Sequence, residues 1–352
     1  MRKHVLFTVL KAYLLVGFLT GCSFTEKAEV QSLYGYSMGT SYHIKLVTPL
    51  SKAQRLQLGI EGILADVNAR MSTYLTSSDL SKFKGSATNE PVTVSERTIS
   101  VVQRALEISA ITQGYFDPTI APLVDLWGFG PSAKVSEQPS LSQIQQLLPF
   151  IGYRQVIVDT SKKTISKSAQ TELDLSAIAK GYAVDLVAEY LISKDISNFL
   201  VEIGGEMRSS GVKPTGELWR IAIEAPYINE QRVYEILELD GMAIATSGDY
   251  RNYFESEGIR YSHTINPKTG FPVKHSLASA SVIMDNCMDA DAFATAFMAM
   301  GVEKALTLAN EQNIAAYFIY RDGEQFNADA SEEFKSQFGE QLTSLNLDLG
   351  EG

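Results

Sequence analysis

The chain has 352 residues, and 30 Lys and Arg against 41 Asp and Glu give it a formal net charge of -11. Its 45% hydrophobic and 20% charged residues are typical of a globular protein. This composition excludes wholesale disorder, a collagen-like repeat and a polytopic membrane protein. Because a phosphate backbone attracts clustered Lys and Arg, and the sequence has no such cluster, we expect no nucleic-acid partner.

The N-terminus, residues 1–21, predicts a lipoprotein signal peptide rather than a part of the fold. Basic residues precede a short apolar stretch and the sequence Leu19-Thr20-Gly21-Cys22. This sequence is similar to a bacterial lipobox, in which the cysteine is lipidated and becomes the new N-terminus. The alternative is that Cys22 is a buried or incidental thiol. We expect a lipid anchor at Cys22 and a polar tether over residues 22–32.

The following segments predict a strand and two helices. Residues 36–47 alternate between apolar and polar side chains, which is typical of a half-buried strand. Apolar residues recur at helical spacing over 56–71 and again over 101–108, so both segments are predicted to be helices that lie on a sheet. Residues 130–140 include two prolines and are predicted to form a flexible loop.

The second half is richer in strands, which are predicted at residues 155–159, 198–203, 218–224, 233–239, 259–265, 279–285 and 314–320. Helices are predicted at 177–191 and 290–300. Runs of neighbouring strands between isolated helices favour the α+β class, with a mostly antiparallel sheet and packed helices. No long linker divides the chain, so we expect a single large domain over residues 33–340 and a tail at 341–352.

The helix predicted to begin near Ser176 is a candidate phosphate site. Asp174 precedes it, and Lys180 lies one turn further on. A helix N-terminus presents unpaired N–H groups and the positive end of a dipole, a lysine adds a counter-charge, and a carboxylate can accept a hydrogen bond from a ligand. The alternative is an ordinary serine cap followed by an exposed lysine.

Asp291 and Thr295 form a candidate metal site, because they stand four residues apart and share one face of a predicted helix. Mg²⁺ typically takes one or two protein carboxylates and completes its octahedron with water and phosphate oxygens. The alternative is that acidic residues, Asp289 among them, merely favour a helix N-terminus. Alanines at every second position over 290–296 would allow a ligand or another backbone to come close.

His263 lies in a predicted strand just before the turn at 267–270 and is a candidate general base. The alternative is a hydrogen-bonded structural histidine. Glycine-containing turns also follow strands at 204–205 and 247–248. The sequence contains neither a P-loop nor a Rossmann fingerprint, and no motif supports a hydrolase triad or a zinc site.

Eight short motifs follow one another along the chain: Met38-Gly-Thr, Met71-Ser-Thr-Tyr74, the stretch 116–130 that opens with Phe116-Asp117-Pro-Thr, the stretch 174–185, Val201-Glu-Ile-Gly-Gly205, Ala245-Thr-Ser-Gly-Asp-Tyr250, Arg260-Tyr-Ser-His-Thr-Ile-Asn-Pro-Lys-Thr-Gly270, and the stretch 290–301. In this order they resemble the ApbE family of FAD:protein FMN transferases, over about residues 33–320. The resemblance implies an ApbE-like, T-fold-like architecture. It also implies a transferase that binds FAD and Mg²⁺, moves FMN onto a threonine hydroxyl of a client protein and releases AMP.

The resemblance also implies roles for individual residues. Flavin-nucleotide contacts fall at Met38, Tyr74, Tyr115, Phe116, Asp117, Asp174, Lys180 and Ile265, and metal ligands at the carbonyl of Ala177, at Asp291 and at Thr295. His263 becomes a candidate to accept the threonine proton or to hold a phosphate oxygen, while Lys180 and Asp291 assist the departure of AMP. Many relatives have a threonine where Asp289 stands, so this carboxylate could create a second metal position or simply cap the helix.

Clients in this family are subunits of membrane redox pumps, which suits an enzyme anchored to a bacterial membrane and facing the periplasm. Two other functions stay open. One is an Mg²⁺-dependent FAD pyrophosphatase, in which water replaces the threonine and free FMN results. The other is a flavin-binding lipoprotein without turnover, which would leave Asp291 and Thr295 without a role.

Overall fold

The structure, a computed structural model, describes residues 27–131, 138–227, 232–249, 253–256, 259–323 and 325–342, with the backbone alone for 253–256 and 259–261. The predicted signal peptide, Cys22, residues 132–137 of the predicted loop and most of the tail lie outside these residues. The strands are β1 (Glu29–Ser37), β2 (Thr40–Thr48), β3 (Val92–Thr93), β4 (Val156–Asp159), β5 (Thr164–Lys167), β6 (Phe199–Ile203), β7 (Glu206–Ser210), β8 (Trp219–Glu224), β9 (Val233–Leu239), β10 (Ala243–Gly248), β11 (Tyr253–Ser256), β12 (Ile259–Ser262), β13 (Leu277–Met284), β14 (Ala315–Asp322) and β15 (Gln325–Ala330). The helices are α1 (Leu50–Met71), α2 (Asp79–Gly85), α3 (Glu96–Ile111), α4 (Ala121–Leu126), α5 (Leu141–Leu147), α6 (Ser176–Ser193), α7 (Cys287–Met300), α8 (Val302–Glu311) and α9 (Glu332–Phe338).

An antiparallel sheet of eight strands is the centre of the fold. Its strand order is β1-β2-β6-β7-β10-β13-β14-β15, and every pair of neighbours in it runs antiparallel. Smaller sheets are formed by β3-β5-β4, by β8-β9 and by β11-β12. One hydrophobic core contains residues from Leu33 to Phe318. The predicted α+β class, a single large domain with a mostly antiparallel sheet and packed helices, is confirmed.

Helices cover one face of the main sheet, and a β-ribbon with a short helix covers the other. In β14, Ala316 and Phe318 belong to the core that includes α1, α3, α6 and α7, whereas Tyr317 and Ile319 belong to the core that includes β8, β9 and α9. Successive side chains of a strand point to opposite faces of a sheet. Because both faces are buried, β14 is a nearly continuous apolar run in the sequence instead of an alternating one.

The segment predicted as one strand over 36–47 is the hairpin of β1 and β2. Ser37 pairs with Thr40, so the turn consists of two residues, Met38 and Gly39, with φ angles of 52° and 76°. A two-residue turn with positive φ at both positions continues the twist of its strands, but Asn-Gly is its usual signal and Met is not. The prediction of a single strand was therefore wrong. The hairpin also begins at Glu29, so residues 29–32 of the predicted tether are part of a strand.

The segment after about residue 327, for which the sequence predicted no helix or strand, is also regular structure. It forms β15 at the edge of the main sheet and then α9, where the Ser331 side chain caps the helix by accepting the N–H of Phe334. Phe334 and Phe338 are buried against the sheet. None of the helices that the structure describes is both long and apolar enough to cross a membrane.

Candidate functional site

At Gly181, α6 approaches α7 closely. A Cβ atom at this position would lie 2.2 Å from the carbonyl oxygen of Cys287 and 2.9 Å from Cβ of Asp291. A side chain larger than hydrogen therefore does not fit between the helices. The approach places Lys180, on α6, beside Asp291, on α7.

Asp185 holds the start of α7 against α6. Its two carboxylate oxygens accept the backbone N–H groups of Cys287 and Met288, each at 2.9 Å. Asn286 is the N-cap, and its side chain accepts the N–H of Asp289 at 2.8 Å. The alternating alanines of α7 are buried in this packing, so the close neighbour that they admit is protein.

Lys180 lies between two buried carboxylates. Its Nζ is 2.6 Å from Oε1 of Glu206 and 3.7 Å from Oδ1 of Asp291. The side chains of Glu206 and Asp291 are only 5% and 3% exposed, against 28% for Lys180. Among the described residues, the second carboxylate oxygen of Glu206, Oε2, is buried without a hydrogen-bond partner. The group therefore combines two acids with one base at very low solvent exposure.

Burial and mutual charge shift the pKa values of this group. Burial raises the pKa of Glu206 to about 7, although the nearby Lys180 ammonium acts against it. Burial also raises the pKa of Asp291, again opposed by Lys180. For Lys180, burial acts to lower the pKa, but the charges of Asp291 and Glu206 outweigh it and the pKa is raised. The ammonium is therefore the most firmly held charge of the three.

The first turn of α6 is distorted at Ala177, whose φ of -90° and ψ of 15° are not helical. The N–H of Gly181, which a regular helix would direct to the Ala177 carbonyl, donates to Oδ2 of Asp291 at 3.1 Å. On α7, the Thr295 hydroxyl lies 3.1 Å from Oγ of Ser247, in β10. Ala177, Asp291 and Thr295, the residues predicted as metal ligands, all line one cavity. The described residues contain no cluster of three or more His, Cys, Asp and Glu that could hold a metal by themselves.

The cavity has a volume of about 460 Å³, within the range of small-molecule sites. Its walls include all but one of the predicted site residues in the described chain: Tyr74, Tyr115, Phe116, Asp117, Asp174, Ala177, Lys180, His263, Ile265, Asp291 and Thr295. Met38 is not among the described residues that line it and packs partly against the core. Its turn is nevertheless close, because a Cβ atom at Gly204, a lining residue, would come 2.9 Å from Cγ2 of Thr40.

The start of α6 has no serine cap, which was the alternative to a phosphate site. Ser176 is the first helical residue, and the N-cap, Leu175, makes no side-chain cap. Oδ1 of Asp174 accepts the N–H of Ser176 at 2.8 Å instead. Asp174 therefore uses one oxygen to cap the helix while it lines the cavity.

Aromatic residues also line the cavity. Tyr115 lies between two lysines: Nζ of Lys268 is 4.0 Å from the ring centroid, and Nζ of Lys304 donates to the Tyr115 hydroxyl at 2.9 Å. Tyr74 is 69% exposed, whereas Phe116 is buried. Tyr74 and Tyr115 are thus at least partly accessible at the cavity, whereas Phe116 belongs to the core.

The carboxylate of Asp117 is engaged by the protein itself. It accepts the N–H and hydroxyl of Thr119 at 2.9 and 2.6 Å and the N–H of Tyr153 at 2.9 Å. Burial raises its pKa, opposed by these hydrogen bonds. Asp117 therefore shapes the loop at the cavity wall with its side chain.

His263 is half-buried at the cavity and packs edge to face against Phe129, with the ring centroids 6.3 Å apart. The segment that carries Phe129 is tied to the turn after His263, because Nε1 of Trp127 donates to the carbonyl of Gly270 at 2.8 Å. The two motifs therefore form one wall.

Asp289 lies outside the cavity lining. Its two oxygens accept Nε and Nη2 of Arg104, in α3, each at 2.8 Å, and its backbone N–H is bound by the N-cap. Asp289 thus forms an ion pair between α3 and α7.

Glu206 was missed by the sequence analysis. Its position directly after Gly204-Gly205 was visible, but its proximity to Lys180 depends on how α6 packs on β7. Gly204 and Gly205 both have positive φ, at 66° and 107°, and the turn that they form delivers Glu206 to the cavity wall.

A profile of the ApbE family matches residues 38–318. The chain is 42% identical over 320 residues to a FAD:protein FMN transferase of Vibrio cholerae, covering 90% of this chain and 95% of the relative. It is 41% identical over 318 residues to a FAD:protein FMN transferase of Haemophilus influenzae, covering 88% of this chain and 92% of the relative. The crystal structure of the flavinyl transferase ApbE of Pseudomonas stutzeri, in its apo form, superposes with a TM-score of 0.82 at 38% identity and covers 89% of this chain and 98% of that one. By sequence and by fold, this chain belongs to the ApbE family.

Proposed function

We propose that this protein transfers FMN from FAD to a threonine hydroxyl of a client protein, with Mg²⁺ as cofactor and AMP as the second product. The observation that carries the proposal is the buried group of Lys180, Glu206 and Asp291 at the wall of a cavity of about 460 Å³. The similarity over most of the chain to proteins named FAD:protein FMN transferase supports it.

The residues at this wall fit Mg²⁺. Asp291 offers a carboxylate, Thr295 a hydroxyl and Ala177 a backbone carbonyl, which are the hard oxygens that this cation prefers. The buried carboxylates of Asp291 and Glu206 share the ammonium of Lys180, so a negative charge is left for a divalent cation to balance. Mg²⁺, when bound, would neutralise charge on the pyrophosphate and make AMP a better leaving group.

The protein's own residues bind the substrate and move the proton. The threonine oxygen attacks the phosphorus of the FMN half, and the P–O bond to AMP breaks, so that AMP leaves with the electron pair. His263 accepts the threonine proton, and Lys180 balances negative charge on the phosphate oxygens. The faces of Tyr74 and Tyr115 provide stacking surfaces for the rings of FAD.

The acceptor and the location belong to the same proposal. Acyl chains at Cys22 tether the enzyme to a bacterial membrane on its periplasmic side. There it meets client subunits of membrane redox pumps. The short chain between Cys22 and the first residue of β1, Glu29, keeps the domain close to the membrane surface.

The test is to incubate purified protein with FAD, Mg²⁺ and a candidate client, comparing the parent with Asp291→Asn. We expect AMP and a fluorescent client band from the parent, and a steep loss of Mg²⁺-dependent AMP release in Asp291→Asn, with FAD binding followed separately by flavin fluorescence. The matched control is Asp289→Asn, which removes a carboxylate from the same helix outside the cavity and should retain the Mg²⁺ dependence of the parent. AMP with free FMN would assign the protein as a pyrophosphatase, and binding without AMP would assign it as a flavin carrier.

The anchor has its own test. Cys22→Ser should leave the precursor uncleaved and unacylated, because the thiol is the acylation point, and mass spectrometry of the mature N-terminus measures this. A parent chain that is cleaved elsewhere and carries an unmodified Cys22 would contradict the anchor while leaving the transferase proposal intact.

A further inference from the structure

Glu206 is a buried carboxylate that the proposed transfer chemistry uses only as a charge beside Lys180, with no contact to substrate or metal. It lines the cavity, its Oε1 lies 2.6 Å from Nζ of Lys180, and within the described chain its Oε2 is buried and lacks a hydrogen-bond partner. Burying an ionised carboxylate costs free energy unless the charge is paired and hydrogen-bonded.

The two distances from Lys180 are unequal. The ammonium is within hydrogen-bond distance of Glu206 and at 3.7 Å from Asp291 it is not. If the charge of Glu206 were removed, Asp291 would become the strongest neighbouring anion of this ammonium. A flexible lysine side chain would then move onto Asp291, because charge-assisted hydrogen bonds shorten to roughly 2.7–2.9 Å.

A lysine paired with Asp291 would compete with a cation for the same carboxylate. Asp291 has two oxygens, and one already accepts the N–H of Gly181. The other, Oδ1, is the one that faces Lys180. An ammonium on Oδ1 would therefore neutralise Asp291 and occupy its remaining oxygen.

We propose that Glu206 is a positioning residue that holds the Lys180 ammonium away from Asp291. Its carboxylate keeps Oδ1 of Asp291 available to a divalent cation and keeps the ammonium at the cavity wall, where substrate phosphates can meet it. The inference rests on the proposed function, because it takes Asp291 as a metal ligand.

The test is a double-mutant cycle on metal binding by the full protein without FAD. Mn²⁺ alone serves as the probe for the divalent site, and its free concentration is measured by electron paramagnetic resonance. The proteins are the parent, Glu206→Gln, Lys180→Met and the double variant. Glu206→Gln preserves side-chain size, and Lys180→Met removes the competing ammonium.

We expect the effect of Glu206→Gln on Mn²⁺ affinity to depend strongly on whether Lys180 is present. Glu206→Gln should weaken Mn²⁺ binding at least about tenfold when Lys180 is present, and by less than about threefold when Lys180 is Met. If Glu206 were instead a metal ligand or a distant charge, its substitution would weaken binding by the same factor in both backgrounds, and the positioning role would be overturned.

Controls separate this inference from folding and from the proposed function. Glu202→Gln changes a carboxylate of β6 that contacts His43 and the N–H of Gly205, and it should leave Mn²⁺ affinity within about twofold of the parent. If Glu206→Gln does not fold, Glu206→Asp takes its place, because it retains the charge one methylene further from Lys180. It should weaken Mn²⁺ binding by a smaller factor, and again more strongly when Lys180 is present than when it is Met. A parent that binds no Mn²⁺ would refute the metal site itself. If Asp291→Asn abolishes Mn²⁺ binding but the effects of Glu206→Gln and Lys180→Met on affinity are additive, only the role of Glu206 would be refuted.

Discussion

Replacing Gly181 by alanine tests whether the contact between α6 and α7 builds the site. The new Cβ would lie 2.2 Å from the carbonyl oxygen of Cys287 and 2.6 Å from its carbonyl carbon. Carbon–oxygen contacts of this kind are ordinarily about 3.3–3.6 Å, so the helices would have to separate by roughly 1 Å. Both atoms belong to the backbone, so no side-chain rotation can relieve the clash.

The expected magnitude is the difference between two opposing effects. Alanine in place of glycine favours a helix by about 1 kcal/mol. Overpacking typically costs about 1–3 kcal/mol, and lengthening the hydrogen bond from Gly181 to Asp291, now 3.1 Å, costs about 1 kcal/mol more. We expect Gly181→Ala to lower the free energy of unfolding by about 1–3 kcal/mol and to weaken divalent-cation binding, because Asp291 moves with α7.

Gly62→Ala is the matched control. Gly62 lies inside α1, and no heavy atom stands within 4 Å of an added Cβ, so this substitution should stabilise the protein by up to about 1 kcal/mol. Urea denaturation and Mn²⁺ titration of both variants measure the two effects. Equal stabilisation by Gly181→Ala and Gly62→Ala, with unchanged Mn²⁺ affinity, would refute the reasoning.

Two further substitutions test charges that hold helices together. Asp289→Asn weakens the paired hydrogen bonds with Arg104 and should lower the free energy of unfolding by about 1–2 kcal/mol; a midpoint of urea denaturation equal to the parent's would show that the pair is not stabilising. Asp79 accepts hydrogen bonds from Ser95 and Thr98 at the start of α3. Burial acts to raise the pKa of Asp79, but these hydrogen bonds outweigh burial, and the pKa is lowered. Because the folded pKa lies below the unfolded one, Asp79 stabilises the protein fully above about pH 5 and loses this contribution as the pH falls through its folded pKa. Asp79→Asn should therefore be less stable than the parent at pH 7, with a difference that narrows at acidic pH; a difference independent of pH would contradict the assignment.

The sequence predicted the elements whose patterns are strong. The long helices α1, α3, α6 and α7 have apolar residues at helical spacing or small-residue faces, and the strands that follow them are rich in β-branched residues. Lys180, Asp291 and Thr295 could be selected because their chemistry and spacing suit phosphate and Mg²⁺. Their common cavity could be expected from the family resemblance alone.

Features that depend on tertiary contact were not predictable in the same way. The Met38-Gly39 turn interrupts an alternation of apolar and polar residues that continues on both sides of it. This alternation alone therefore predicts one strand where the structure has two. Glu206 reaches Lys180 because β7 lies under α6, and Arg104 reaches Asp289 because α3 lies beside α7. No short-range pattern encodes such pairs.

The contacts that hold α7 against its neighbouring helices join distant parts of the chain. The hydrogen bond between Gly181 and Asp291 spans 110 positions, and the ion pair between Arg104 and Asp289 spans 185. During synthesis, Tyr115 and Lys180 emerge well before α7 exists, so a growing or truncated chain lacks Asp291 and Thr295, and with them the proposed metal site. Under the proposed function, metal and nucleotide would bind only the finished fold, and by mass action they would stabilise complete molecules over partly folded ones.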